Sequence, residues 1–106
     1  SHKMVKHVKI GGEERPVKFG FAALMEFTDA LGYTMADLDN LGENMKLKDA
    51  IFLVWCGLKH GARVEKNPFA YDIDQIADWL DEKPESMEEV LNVFSSSFGA
   101  TKEEKK

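Results

Sequence analysis

Residues 47–60 read LKDAIFLVWCGLKH, and Ile51 through Cys56 are consecutive apolar side chains. Such a run leaves no polar face at either the helical or the strand period, so the segment is expected to be buried on most sides. A buried strand would give the same run. Two features select a helix: the apolar pattern continues to Leu58, and Lys59-His60-Gly61 makes a C-terminal signature. Cations near a helix C-terminus interact favourably with its dipole, and glycine suits the left-handed residue beyond it. Gly57, inside the element, costs about 1 kcal/mol relative to alanine. Its presence therefore points to the close approach of another element.

Working outward toward the N-terminus, Met4–Ile10 (MVKHVKI) places Met4, Val8 and Ile10 on one strand face, with Lys6 the exception. Gly11-Gly12 suits a tight turn at positive φ. Arg15–Phe19 (RPVKF) resumes the alternation with Val17 and Phe19. Pro16 has no N–H for a ladder, so this strand either begins there or has an open edge there. Residues 5–19 are thus expected to form a β-hairpin. A helix over 20–31 follows, its stripe made by Phe21, Leu24, Met25 and Thr28 and widened by Phe27 and Leu31. Gly32 stands at its C′ position. Thr34, with Asp37 in the first turn, starts a short helix through Leu41 that ends near Gly42.

Toward the C-terminus, Asn67-Pro68 marks a turn. Ile73, Ile76, Ala77 and Leu80 keep helical spacing and are joined by Trp79. Asp72 is the expected N-cap, with Gln75 three residues on, as in a capping box. Pro84 ends that helix region. Ser86-Met87-Glu88-Glu89 gives a second capping-box match, and Met87, Val90, Leu91, Phe94 and Phe98 continue the stripe. The fold expected is α+β and helix-dominated: an N-terminal β-hairpin followed by about five helices in one compact domain over residues 4–99. Leu47–His60 lies near its centre. Ser1-His2-Lys3 reads as the remnant of an expression tag, and 100–106 as a charged, disordered tail.

Composition narrows the function classes. The 106 residues are 43% hydrophobic and 31% charged, a globular balance rather than a disordered one. A net charge of −5 disfavours nucleic acid and anionic membrane surfaces as partners. The single cysteine, Cys56, forms no intramolecular disulfide, and no CxxC pair is present to hold zinc. The longest apolar stretch, Ala50–Cys56, is too short to span a bilayer.

The motifs that carry chemistry are missing. His7 and His60 stand near no carboxylate in sequence, and the expected role of His60 is a cation at a helix end. Cys56 reads as a small buried hydrophobe. Asp74, Asp78 and Asp81 fall on the side of their helix opposite the apolar stripe, which makes them a solvated face. The D-x-D-x-D-G calcium loop, the Gly-rich phosphate loops, G-x-S-x-G and a basic recognition helix are all absent. No metal, cofactor or catalytic residue is therefore expected. Interaction chemistry remains. Trp79, Phe94 and Phe98 either close the core of this domain or offer apolar surface to a partner, and they are the candidate partner-binding residues. Trp55 reads as core.

The order of pieces carries a resemblance. VKHVKI, GGEE and RPVKFGFAALMEFTDALG (5–32) are followed by MADLDNL (35–41), IFLVWCGLKHGA (51–62), YDIDQIADWLDE (71–82) and EEVLNVFSSSF (88–98). The most telling are Phe19-Gly20-Phe21-Ala22-Ala23-Leu24 leading to Leu31-Gly32, and Gly57-Leu58-Lys59-His60. Together these resemble the tail assembly chaperones of long-tailed bacteriophages, over roughly residues 5–98. The resemblance implies a non-enzymatic protein of the host cell cytoplasm that is absent from the mature virion. It implies binding to the tape-measure protein and recruitment of tail-tube subunits, the latter through a frameshifted extension. It brings no catalytic motif. Two other classes stay open: a structural phage or prophage tail or connector component, and a small enzyme using the acidic helix. Open hairpin edges and the small core also lead to an expectation of homo-oligomers.

Overall fold

The structure, a computed structural model, describes residues 5–38, 41 and 45–104, and side chains as far as Ser97. Residues 1–4, with the segment read as a tag remnant among them, Gly42 and the Phe98 side chain lie outside the described residues. The chain is α+β and helix-dominated. A hairpin of β1 (Lys6–Ile10) and β2 (Glu13–Val17) precedes helices α1 (Phe21–Leu31), α2 (Met35–Leu38), α3 (Leu47–Val64), α4 (Ile73–Glu82) and α5 (Glu85–Glu104). Among the described residues, no helix is long and apolar enough to cross a membrane.

Gly11 and Gly12 sit at φ 68° and 83°, the conformation of a two-residue I′ turn, which matches the twist of the strands it joins. The turn pairs Ile10 with Glu13, Val8 with Arg15 and Lys6 with Val17, and puts His7 opposite Pro16. In an antiparallel ladder, pairs that exchange hydrogen bonds alternate with pairs that do not. Counting from the Ile10–Glu13 closure, Pro16 falls on a pair without mutual bonds. Its missing N–H therefore faces away from β1, and the hairpin tolerates it.

α3 is the centre, as the apolar run requires. Leu53, Val54 and Cys56 have no exposed surface, and the helix packs against β2, α1, α4 and α5. Gly57 does mark a close approach. A Cβ there would strike the Phe19 ring, and the Gly57 carbonyl accepts the Lys18 backbone N–H at 3.0 Å. Gly61 does not end the helix. It lies against the backbone of Pro16 and Val17, and α3 continues to Val64. The end is a Schellman turn with Lys66 at φ 61° in the left-handed position. Asn67 donates to the Ala62 carbonyl and Lys66 to that of Arg63.

These contacts cover part of the hairpin edges expected to be open. The outer edge of β2 is covered by α3 at Gly57 and Gly61. On β1, the outward-facing Lys9 carbonyl accepts the Ser86 hydroxyl at 3.1 Å. Ser86 is consequently no N-cap. It lies fully buried inside the first turn of α5 and ties that helix to the hairpin. Asp72 does cap α4, its Oδ1 accepting the Gln75 N–H at 2.9 Å. Thr34 and Asp37 bond reciprocally at the start of α2. α5 runs past Gly99, the expected end of its stripe, to Glu104. Ala100, Lys102, Glu103 and Glu104 are strong helix formers, and one interior glycine costs only about 1 kcal/mol.

Candidate interaction surface

Two of the three candidate partner-binding residues face inward. Trp79 is 8% exposed. Its ring lies under Gly11 of the hairpin turn, edge-on to Tyr71 at 4.7 Å, with the Arg15 guanidinium 4.1 Å above it. Arg15 is fixed there because its Nε donates to the Ile10 carbonyl at 2.8 Å and its terminal nitrogen to that of Gly11. Phe94 is also 8% exposed and meets Phe19 edge-to-face at 5.3 Å. Both residues pack into the core of this domain, the first of the two readings that the sequence left open. Trp55, expected in the core, is half-buried. Its Nε1 donates to the Tyr71 carbonyl at 2.8 Å, pinning the 67–71 segment to α3.

The exposed apolar side chains lie elsewhere. Phe21 is 89% exposed and Met25 69%. The two are four residues apart on α1, so they share a face about one turn apart. The buried face of α1 is made instead by Ala23 and Phe27, with Leu24 and Leu31 packed beside them. Met35 and Leu47 are exposed as well. The sequence held the signal ambiguously: in FAALMEF almost every position is apolar, so spacing does not say which stripe turns inward.

The histidines do meet carboxylates, across gaps that sequence spacing does not reveal. His60 Nε2 lies 2.8 Å from Glu26 Oε1, and Lys59 Nζ lies 2.9 Å from Glu26 Oε2. Arg63 Nε donates to His60 Nδ1 at 3.1 Å, which fixes the ring proton on Nε2, where Glu26 accepts it. His60 is therefore a buried link between α1 and α3, and it lies within α3 rather than at its end. Burial raises the Glu26 pKa, but hydrogen bonds from Lys59 and His60 and the charge of Lys59 outweigh that and hold it below its ordinary value. His7 pairs with Glu65 at 3.3 Å in a more exposed setting.

Cys56 is a buried thiol, pushed up to about 12 by burial and then by the Glu26 charge, so it is a poor nucleophile. Among the described residues, no group of three His, Cys, Asp or Glu side chains is arranged to hold a metal. Asp74, Asp78 and Asp81 are exposed on α4.

One groove of about 320 Å³ opens beside the hairpin. Its walls are Glu13–Pro16 of β2, Leu58 and Ala62 of α3, and the 67–71 segment. Comparison of the chain with protein-family models, curated proteins and solved structures finds no match.

Proposed function

We propose that this domain is a non-enzymatic tail assembly chaperone of a long-tailed bacteriophage, holding helical segments of the tape-measure protein soluble in the host cytoplasm until tail-tube subunits enclose them. The observation that carries the reading is the outer face of α1. A soluble, acidic domain leaves a phenylalanine 89% exposed and a methionine 69% exposed on adjacent turns of one helix. Exposed apolar side chains grouped in this way mark interaction surfaces. Methionine adapts to varied partners, and an apolar helix face suits the apolar stripe of another amphipathic helix. The order of sequence pieces over residues 5–98 supplies the particular class. The contact surface thus moves from Trp79 and Phe94 to Phe21 and Met25.

Co-expression with the tape-measure protein of the same phage tests this reading. The client is expected to become soluble and to co-purify at low salt, and a Phe21→Ser/Met25→Ser double variant is expected to lose both effects while remaining folded. A client equally insoluble with and without the domain, with no complex recovered, overturns the reading. Finding the domain in purified virions favours the structural-component class instead.

A further inference from the structure

The groove beside the hairpin has the makings of a second site, independent of the chaperone reading. Ladder alternation directs the N–H and C=O of Glu14, the C=O of Pro16 and the N–H of Lys18 away from β1. α3 closes the last two, through Gly61 against the Pro16 carbonyl and the Gly57 carbonyl on the Lys18 N–H. Glu14, whose outward groups α3 does not take up, lines the groove. At its base lie the buried Leu58 and Ala62, and beside them the half-buried Phe69 and Tyr71. The lip carries Glu13, whose carboxylate pairs with Arg15 at 3.0 Å, and the exposed Glu14. The cation at the groove, Arg15, is already committed to the turn carbonyls, to Trp79 and to Glu13.

We propose that this groove takes a short extended peptide segment in which an apolar side chain stands next to lysine or arginine. One residue of such a segment pairs with the free edge at Glu14, as in strand addition. Its apolar side chain enters toward Leu58 and Phe69. Its cationic neighbour meets the Glu14 carboxylate, a charge match that an acidic segment lacks. A helix is a poorer occupant. It spends its backbone groups internally and leaves those of Glu14 unmatched.

The test is to pan a random short-peptide display library against the intact protein, then titrate the enriched peptides, synthesised singly, into isotope-labelled protein. Enriched peptides are expected to place Lys or Arg beside Val, Ile, Leu or Phe. Amide shifts are expected to concentrate on Glu14, Leu58, Phe69 and Tyr71. Glu14→Lys, at an exposed position, is expected to weaken binding about tenfold without changing the melting temperature. N-methylation of the peptide residue opposite Glu14 is expected to do the same, because it removes the edge bond. Enrichment of acidic or helix-forming peptides, shifts centred away from the groove, indifference to N-methylation, or no enrichment at all overturns the proposal.

Discussion

The Phe19 ring occupies the space that a side chain at position 57 would need: a Cβ built on Gly57 meets three ring atoms of Phe19 at less than 3 Å. Phe19 is in turn held edge-on by Phe94, so it has little room to yield. Gly57→Ala is therefore expected to destabilise the domain by about 1–3 kcal/mol, the range for overpacking, even though alanine is the better helix former by about 1 kcal/mol. Gly61→Ala is expected to cost at least as much, because its obstacle is the backbone of Pro16 and Val17 rather than a side chain. Urea unfolding of both variants checks the order. An alanine at 61 that stabilises the protein would show that β2 does not lie against α3.

Glu26 couples the stability of the α1–α3 contact to acid. Its carboxyl titrates below its ordinary value of 4.5 in the folded protein, so the unfolded chain takes up the proton first. The stabilisation is complete above about pH 4.5 and is lost as pH falls through the lower folded value. The stability difference between the natural protein and Glu26→Gln is expected to be largest near neutrality and to shrink below pH 4.5. A constant difference across pH 3–7 would mean that the carboxylate charge contributes nothing.

Much of the fold was legible because its determinants are local. Six successive apolar residues placed α3 at the centre, two glycines closed the hairpin, and Asp72 capped α4. The misreadings arose where one residue type serves two purposes. Gly61 resembles a helix terminator, but it is small so that β2 can lie on it. Ser86 resembles an N-cap, but its hydroxyl reaches a strand 77 positions earlier. The pairing of His60 with Glu26 spans 34 positions, which no spacing rule reaches. On α1, apolar residues surround the helix too fully for periodicity to separate the buried Phe27 from the exposed Phe21.

Arg15 joins the hairpin turn to α4 by a planar fork and a stacked face, neither of which lysine reproduces. Arg15→Lys is expected to lose about 1–2 kcal/mol through the two carbonyl bonds and the Trp79 contact. Trp79 fluorescence should shift as the ring gains solvent. An unchanged spectrum with unchanged stability would argue against the stack.

Cys56 should resist alkylation in the folded state. Its thiol is buried and pushed up to about 12, so only on the order of one molecule in 10⁵ is thiolate at pH 7. Labelling by iodoacetamide is expected to track global unfolding and to accelerate in urea. Fast labelling in buffer would show that the core around α3 opens.

The two phenylalanines of α1 give the sharpest separation of surface from core. Phe21 and Phe27 lie on the same helix, yet one is 89% exposed and the other has no exposed surface. Phe27 contacts Phe52 and Tyr33, so Phe27→Ser removes core volume and leaves a hydroxyl without a counterpart. The expected loss is about 3–5 kcal/mol, the scale of Phe→Ala in a core. Phe21→Ser, alone or with Met25→Ser, removes no buried contact, and serine matches phenylalanine in helix propensity. Each exposed change is expected to leave stability within about 0.5 kcal/mol and to improve solubility at high concentration by removing apolar surface. Thermal melts and light scattering on the three variants decide the matter. If Phe21→Ser unfolds the domain as Phe27→Ser does, Phe21 is a core residue and the α1 face is no interaction surface. If Phe21→Ser is silent for stability but abolishes client binding, stability and binding have been assigned to opposite faces of one helix.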